Sequence, residues 1–230
     1  MKYGLIGPSK EEIDPFIELM ESKKSNSIAM LDFHEGTFHG IPVIAVFSGA
    51  CKVNATIATQ ILVDRFNISH LIHVGVAGAL KSNLKIGDII IPNELAYHDV
   101  LPEILTEYHP WMKDEYFRPD KGMFEICIDM LKQKSPVKRW FIGKAITGEA
   151  FIHTDERSEL TAKHDPYCVD MESAAVAHTC YVNNIPFIVI RSISDKADDQ
   201  GPEEFESNVV SSSLNAVEVA SEFIRYISKK

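Results

Sequence analysis

The sequence predicts an α/β fold of three layers, in which a mixed, mostly parallel central sheet carries helices on both faces. Three observations point there. Short apolar runs alternate with segments of helical period from one end of the chain to the other. Helix-length stretches separate most of those runs, so the strands are joined by crossovers and lie parallel. An early pair of apolar runs instead meets across His39-Gly40, which reads as a hairpin and makes the sheet mixed. No repeat or linker divides the 230 residues, so 1–230 is read as one domain.

Taken in order, 2–7 reads as a buried strand that ends at a glycine-proline turn. Residues 9–22 follow as a helix interrupted by Pro15. The hairpin pairs 30–39 with 41–47. A helix over 52–66 is expected to bury Val53, Ile57, Ile61 and Leu62 on one face. The strand 71–74 runs into a small-residue turn, Gly75-Val76-Ala77-Gly78-Ala79. Residues 88–91 and 95–98 read as two further strands. The segment 100–119, with Pro102, Pro110, Pro119 and several aromatic residues, reads as a long loop. Then come a helix around 122–132, a strand at 140–146, a short helix near 157–163 and a strand at 168–171. A helix over 173–182, a strongly apolar strand at 187–192 and an amphipathic helix over 208–227 close the chain.

Composition narrows the function. A net charge of −10 disfavours a nucleic-acid surface, which needs a basic stripe, and it disfavours anionic lipid as well. Cys51, Cys127, Cys168 and Cys180 are scattered, which fits reduced thiols in a cytoplasmic protein better than zinc or disulfides. The opening residues do not read as a signal peptide, and no apolar run approaches the ~20 residues a membrane span requires. The nine histidines show no ligand spacing, so no metal is assigned. Gly75-Val76-Ala77-Gly78 is not a dinucleotide fingerprint, and no cofactor is expected.

In open α/β sheets ligands gather beyond the carboxyl ends of the strands. Those ends carry Glu11-Glu12, Gly75–Gly78, Phe151-Ile152, Asp170-Met171-Glu172 and Arg191-Ser192-Ile193-Ser194-Asp195. In this order they resemble the methylthioadenosine/S-adenosylhomocysteine nucleosidases. The resemblance extends to Lys85-Ile86-Gly87-Asp88, Tyr97-His98-Asp99 and Thr147-Gly148-Glu149-Ala150, and so covers the chain from end to end. It implies a nucleoside phosphorylase/hydrolase-like fold, a small-molecule nucleoside substrate, a homodimer and a place in methionine salvage.

The resemblance also implies roles. Asp195, oriented by Ser194, would protonate N7 of adenine, and Glu12 would activate water. Glu172 would hold the ribose hydroxyls, with Met171 packed on the sugar. Phe151 would stack on adenine, the main chain at Ile152 would read its edge, and Phe205 would cover the 5′ substituent. Val76, Ala77 and Gly78 would let the nucleoside approach the backbone. The chemistry agrees, since two carboxyl groups with opposite duties cut glycosidic bonds. Asp195 then needs a raised pKa, whereas Glu12 and Glu172 should be ionised, with Arg191 helping.

Each residue also has a structural reading. Ser9-Lys10-Glu11-Glu12 spells a capping box. Asp195 could cap a turn, and Glu172 could complement a helix dipole. Phe151 alone would be core, and Met171 a gap filler. His98 and Asp99 are adjacent in an extended stretch, so they face opposite ways and separate roles are expected. The pattern departs from the family in three places. Ala50 and Cys51 stand where isoleucine and glycine are usual, Val76 stands where many relatives have serine, and 100–111 does not keep the run that shapes the 5′ pocket. A phosphate-dependent phosphorylase, a futalosine-type hydrolase and a non-catalytic binder remain as rivals. A phosphorylase needs an arginine grip, and no arginine precedes Arg65.

Overall fold

The computed structural model describes residues 1–108, 112–133 and 138–229. The first half of the chain contains β1 (Tyr3–Gly7), α1 (Lys10–Leu19), β2 (Glu21–Ile28), β3 (Leu31–Phe38) and β4 (Ile41–Phe47). After these come α2 (Lys52–Phe66), β5 (His70–Ala79), β6 (Ile89–Tyr97) and α3 (Pro102–Tyr108). The second half holds α4 (Lys121–Gln133), β7 (Trp140–Thr147), α5 (Thr154–His164) and β8 (Cys168–Asp170). It ends with α6 (Ser173–Val182), β9 (Phe187–Asp195) and α7 (Gly201–Ile227).

The strands form one mixed sheet in the order β2-β3-β4-β1-β5-β8-β7-β6-β9, and β9 also lies on β5. Pairing is parallel for β1 with β4 and β5, for β5 with β9, and for β7 with β6 and β8. It is antiparallel in β2–β3–β4, in β5–β8 and in β6–β9. Because β9 touches both β5 and β6, the sheet curls back on itself at that end.

Alternation along the strands divides the core into two layers. Leu5, Val43, Ile72, Ile188 and Ile190 pack toward α1, α4 and α7, against residues such as Phe16 and Phe223. Ile6, Ile44, Leu71 and Val189 pack toward α2 and α6, against Leu62 and Ala177. The predicted three-layer class is the one observed, and its elements differ in detail.

The helix expected over 9–22 stops at Leu19, and Glu21–Ile28 is a strand. That strand is exposed along nearly its whole length, so it has no apolar face to read. In α2 the buried residues are Ala55, Ala58, Thr59, Leu62 and Phe66, while Val53 is 67% and Ile57 42% exposed. The helix rolls its small side chains inward because α6, with Ala174, Ala175 and Ala177, packs closely on it. The turn expected at 75–79 is a continuation of β5, paired with β9 as far as Gly78. Residues 88–91 and 95–98 belong to one strand, β6, which absorbs Pro92 at a bulge. The segment 100–119 contains α3, and its Pro110 and Trp111 lie outside the described residues. No described helix is long and apolar enough to cross a membrane.

Candidate active site

The ends of β1, β5, β8 and β9 surround a cavity of ≈ 260 Å³. Every residue predicted for the site lines it except Arg191, which is fully buried behind its wall. On one side α1 delivers Glu12. Ser9 is the residue before this helix, but its side chain makes no capping bond. The Glu12 carboxylate turns across the strand ends, where Oε1 accepts the Val76 N–H at 2.7 Å. The Ser9 side-chain half of the capping box spelled by the sequence is therefore not formed. Burial raises the Glu12 pKa, opposed by the Arg191 charge, by the Val76 N–H and by Ser9.

Gly75 explains the small residues of β5. A Cβ there would run into Arg191 Nη1 and would come within 2.5 Å of Glu12 Oε1. At Gly78 it would meet Asp195 Oδ1 at 2.6 Å. The glycines are sites of close approach and not a turn.

Behind the wall, Arg191 organises three carboxylates. Its Nε donates to Asp170 Oδ2 at 2.9 Å and to Ser173 Oγ at 3.0 Å. Glu172 Oε2 lies 3.7 Å from Nη2, and Glu12 Oε1 lies 4.0 Å from Nη1. Asp170 Oδ1 also accepts the Thr147 hydroxyl at 2.6 Å and the Ser173 N–H at 3.0 Å. Glu172 sits at the cap of α6, where Oε1 accepts the Cys51 N–H at 2.8 Å. Burial pushes the Glu172 pKa up to about 8, with the Asp170 and Glu12 charges adding and Arg191 opposing. Both shifts run against the ionised form expected of Glu12 and Glu172, which Arg191 favours. Desolvation outweighs one guanidinium shared among three acids.

Asp195 ends β9. Ser194 Oγ donates to its Oδ2 at 2.8 Å, and the Ala197 N–H donates to Oδ1 at 2.9 Å. Burial raises the Asp195 pKa, the direction a proton donor requires, while Ser194 and Ala197 counter it. Phe151 and Phe205 meet edge to face at 5.7 Å across the mouth, with buried Ile152 beneath. Val76, Ala77, Gly78 and Met171 complete the wall. The charged side chains that line the cavity are thus acids, with Arg191 behind them. Among the described residues no arginine or lysine lines the cavity.

The whole chain is similar to known nucleosidases. The family description "Phosphorylase superfamily" matches residues 2–225. A 5′-methylthioadenosine/S-adenosylhomocysteine nucleosidase from an Exiguobacterium strain is 33% identical over 224 residues, which cover 95% of both chains. The chain belongs to the 5′-methylthioadenosine/S-adenosylhomocysteine nucleosidase family. As a member of that family it is a hydrolase of N-glycosidic bonds. A Colwellia psychrerythraea nucleosidase solved in complex with adenine superposes with a TM-score of 0.90 at 31% identity, covering 98% of this chain and 95% of that one. A Helicobacter pylori futalosine hydrolase superposes equally well, with a TM-score of 0.90 at 25% identity, covering 98% and 97%.

Two of this nucleosidase's departures shape the cavity edge. Ala50 lines it, and Cys51 next to it has φ +78°, a region that L residues rarely adopt. Asp170, Ser173 and His73, which hold Arg191, were given no role from the sequence, although Asp170 falls in the strand-end run Asp170-Met171-Glu172. An arginine inside the apolar run Phe187–Asp195 was the available signal, because a buried guanidinium must find acids and acceptors. His98 and Asp99 take separate partners. The His98 ring lies against Gly148, and Asp99 binds Lys52 Nζ at 2.8 Å. Among the described residues, no His, Cys, Asp and Glu group is arranged to hold a metal.

Proposed function

We propose that this cavity binds a 5′-substituted adenine nucleoside, methylthioadenosine or S-adenosylhomocysteine, and that Glu12 and Asp195 divide the work of cleaving it. The observation that carries the reading is their shared cavity. One buried carboxyl lies beside a guanidinium and a main-chain N–H, and the other is held by a hydroxyl and a main-chain N–H. Asp195, protonated, gives its proton to N7 as the C1′–N9 bond breaks. Water attacks C1′ and loses a proton to Glu12, so the products are adenine and a 5-substituted ribose. Glu172 takes the ribose hydroxyls, Met171 packs on the sugar, and Arg191 steadies Glu12 and Glu172. Adenine lies between Phe151 and the wall formed by Val76, Ala77 and Gly78, with the Ile152 main chain at its edge. Phe205 covers the 5′ group.

Water is favoured over phosphate because the cavity lining contains acids and, among the described residues, no cationic side chain. A futalosine-type substrate is the second reading, supported by the small Ala50 and by the altered segment after Asp99. We further infer that residues 1–230 act as one domain in a cytoplasmic homodimer serving methionine salvage. Free thiols at all four cysteines support the compartment. Exposed Val53, Ile57, Leu101 and Ile104 support the dimer.

The test is adenine release from methylthioadenosine, S-adenosylhomocysteine and adenosine, with and without phosphate, for wild type and Glu12→Gln. Phosphate-independent release from the first two, abolished in Glu12→Gln, is expected. Release that requires phosphate, or that survives Glu12→Gln, overturns the water mechanism.

A further inference from the structure

The Arg191 guanidinium is gripped at two of its three nitrogens. Nε is held by Asp170 and Ser173, and Nη2 lies 3.0 Å from His73 Nε2 and 3.4 Å from His73 Nδ1. Nη1 has no hydrogen-bond partner among the described residues, and it is the nitrogen that faces Glu12. His73 is completely buried on β5, two residues before Gly75, so both lie on the same face of the strand. Gly75 leaves the space that Nη1 occupies. His73 therefore supports one arm of the fork while the bare backbone beside it makes room for the other.

An imidazole in contact with a guanidinium must be neutral to accept from it. Burial and the Arg191 charge both drive the His73 pKa well below its ordinary value, so a ring lone pair is available. A guanidinium is planar, so anchoring Nε and Nη2 fixes where the third nitrogen points. We infer that His73 is a positioning residue for the hydrolysis, which by accepting from Nη2 turns Arg191 Nη1 toward Glu12 and the attacking water. It touches neither substrate nor water and acts through Arg191. This inference rests on the roles proposed above for Glu12 and Arg191.

The experiment compares wild type, His73→Leu, His73→Gln and Glu12→Gln for kcat, KM and thermal midpoint. Leucine and glutamine fill similar volumes, but only glutamine offers an acceptor near the position of Nε2. His73→Leu is expected to lose about ten- to hundredfold in kcat, the worth of one hydrogen bond to a charged group, with KM changed less than about threefold. His73→Gln should restore most of that loss. The acid limb of kcat should also move upward in His73→Leu, because a displaced Arg191 no longer lowers the Glu12 pKa. Equal losses in both variants, or losses that simply follow the thermal midpoint, overturn the inference and leave His73 as core packing. An unchanged kcat in His73→Leu overturns it too. If Glu12→Gln remains active, the failure lies with the Glu12 assignment and not with His73.

Discussion

Replacing Asp170 by asparagine should show what holds the site together. Its carboxylate accepts from the Thr147 hydroxyl, the Ser173 N–H, the Glu172 N–H, the Ser173 hydroxyl and Arg191 Nε, and all of these are buried. Asparagine keeps the shape and can keep the Oδ1 contacts. It removes the acid nearest to the guanidinium, at 2.9 Å, and sets an amide donor against Nε. Breaking a buried ion pair from one side costs about 3–5 kcal/mol. Glu172 at 3.7 Å and Glu12 at 4.0 Å remain to share the Arg191 charge, which favours the lower end, about 3 kcal/mol. For a chain of this size each kcal/mol moves the thermal midpoint by roughly 2–4 °C, so a fall of about 6–12 °C is expected. Calorimetry at pH 7, with urea unfolding to check that the m-value is unchanged, measures it. A fall of less than about 2 °C would mean that the remaining acids balance Arg191 unaided, and the argument for Asp170 as its principal counter-ion would be wrong.

Three other outcomes concern protons. Asp195→Asn should lower kcat by about 10²–10⁴-fold, as the loss of a general acid does, and a loss below tenfold counts against the assignment. In Ser194→Ala, removing a hydrogen bond that lowers the Asp195 pKa should move the alkaline limb of kcat upward in a pH–rate profile. The raised pKa of Glu172 also makes stability depend on pH. In the folded protein burial keeps a proton on it up to about pH 8, whereas the unfolded chain releases it near 4.5. Its contribution to stability is therefore complete below pH 4.5 and is lost as the pH rises through about 8. Urea midpoints across that window should fall more steeply for wild type than for Glu172→Gln, and parallel slopes would refute the shift.

Much of the fold was legible because burial writes a period into the chain. β1, β4 and β9 are apolar runs, and the hairpin turn at His39-Gly40 is where the sequence marks it. What could not be read is where another force decided. β2 is a strand because it pairs with β3, and pairing leaves no trace in side-chain polarity. The face of α2 was misjudged because alanines allow close helix contact, while the larger Val53 and Ile57 stay outside. Gly75–Ala79 looked like a turn because its smallness serves side chains from elsewhere in the chain. The same limit applied to the site. Glu172, Ser194 and Asp195 stand at or just past strand ends, and Glu12 in the first turn of the helix after β1, where topology directs attention. Asp170 and His73 matter through Arg191, and that contact exists only once three strands are side by side.

The curling of the sheet has a consequence for the life of the chain in a crowded solution. With β9 joined to both β5 and β6, the described sheet offers a single open border, β2. That border carries Lys23 and Lys24 and is broken by a bulge between Glu21 and Lys24. Charged, irregular borders resist the addition of a strand from another molecule. Lengthwise growth into fibrils is thereby discouraged at the open border of the described sheet, which favours self-association through helix faces, where it can stop at a fixed number of copies.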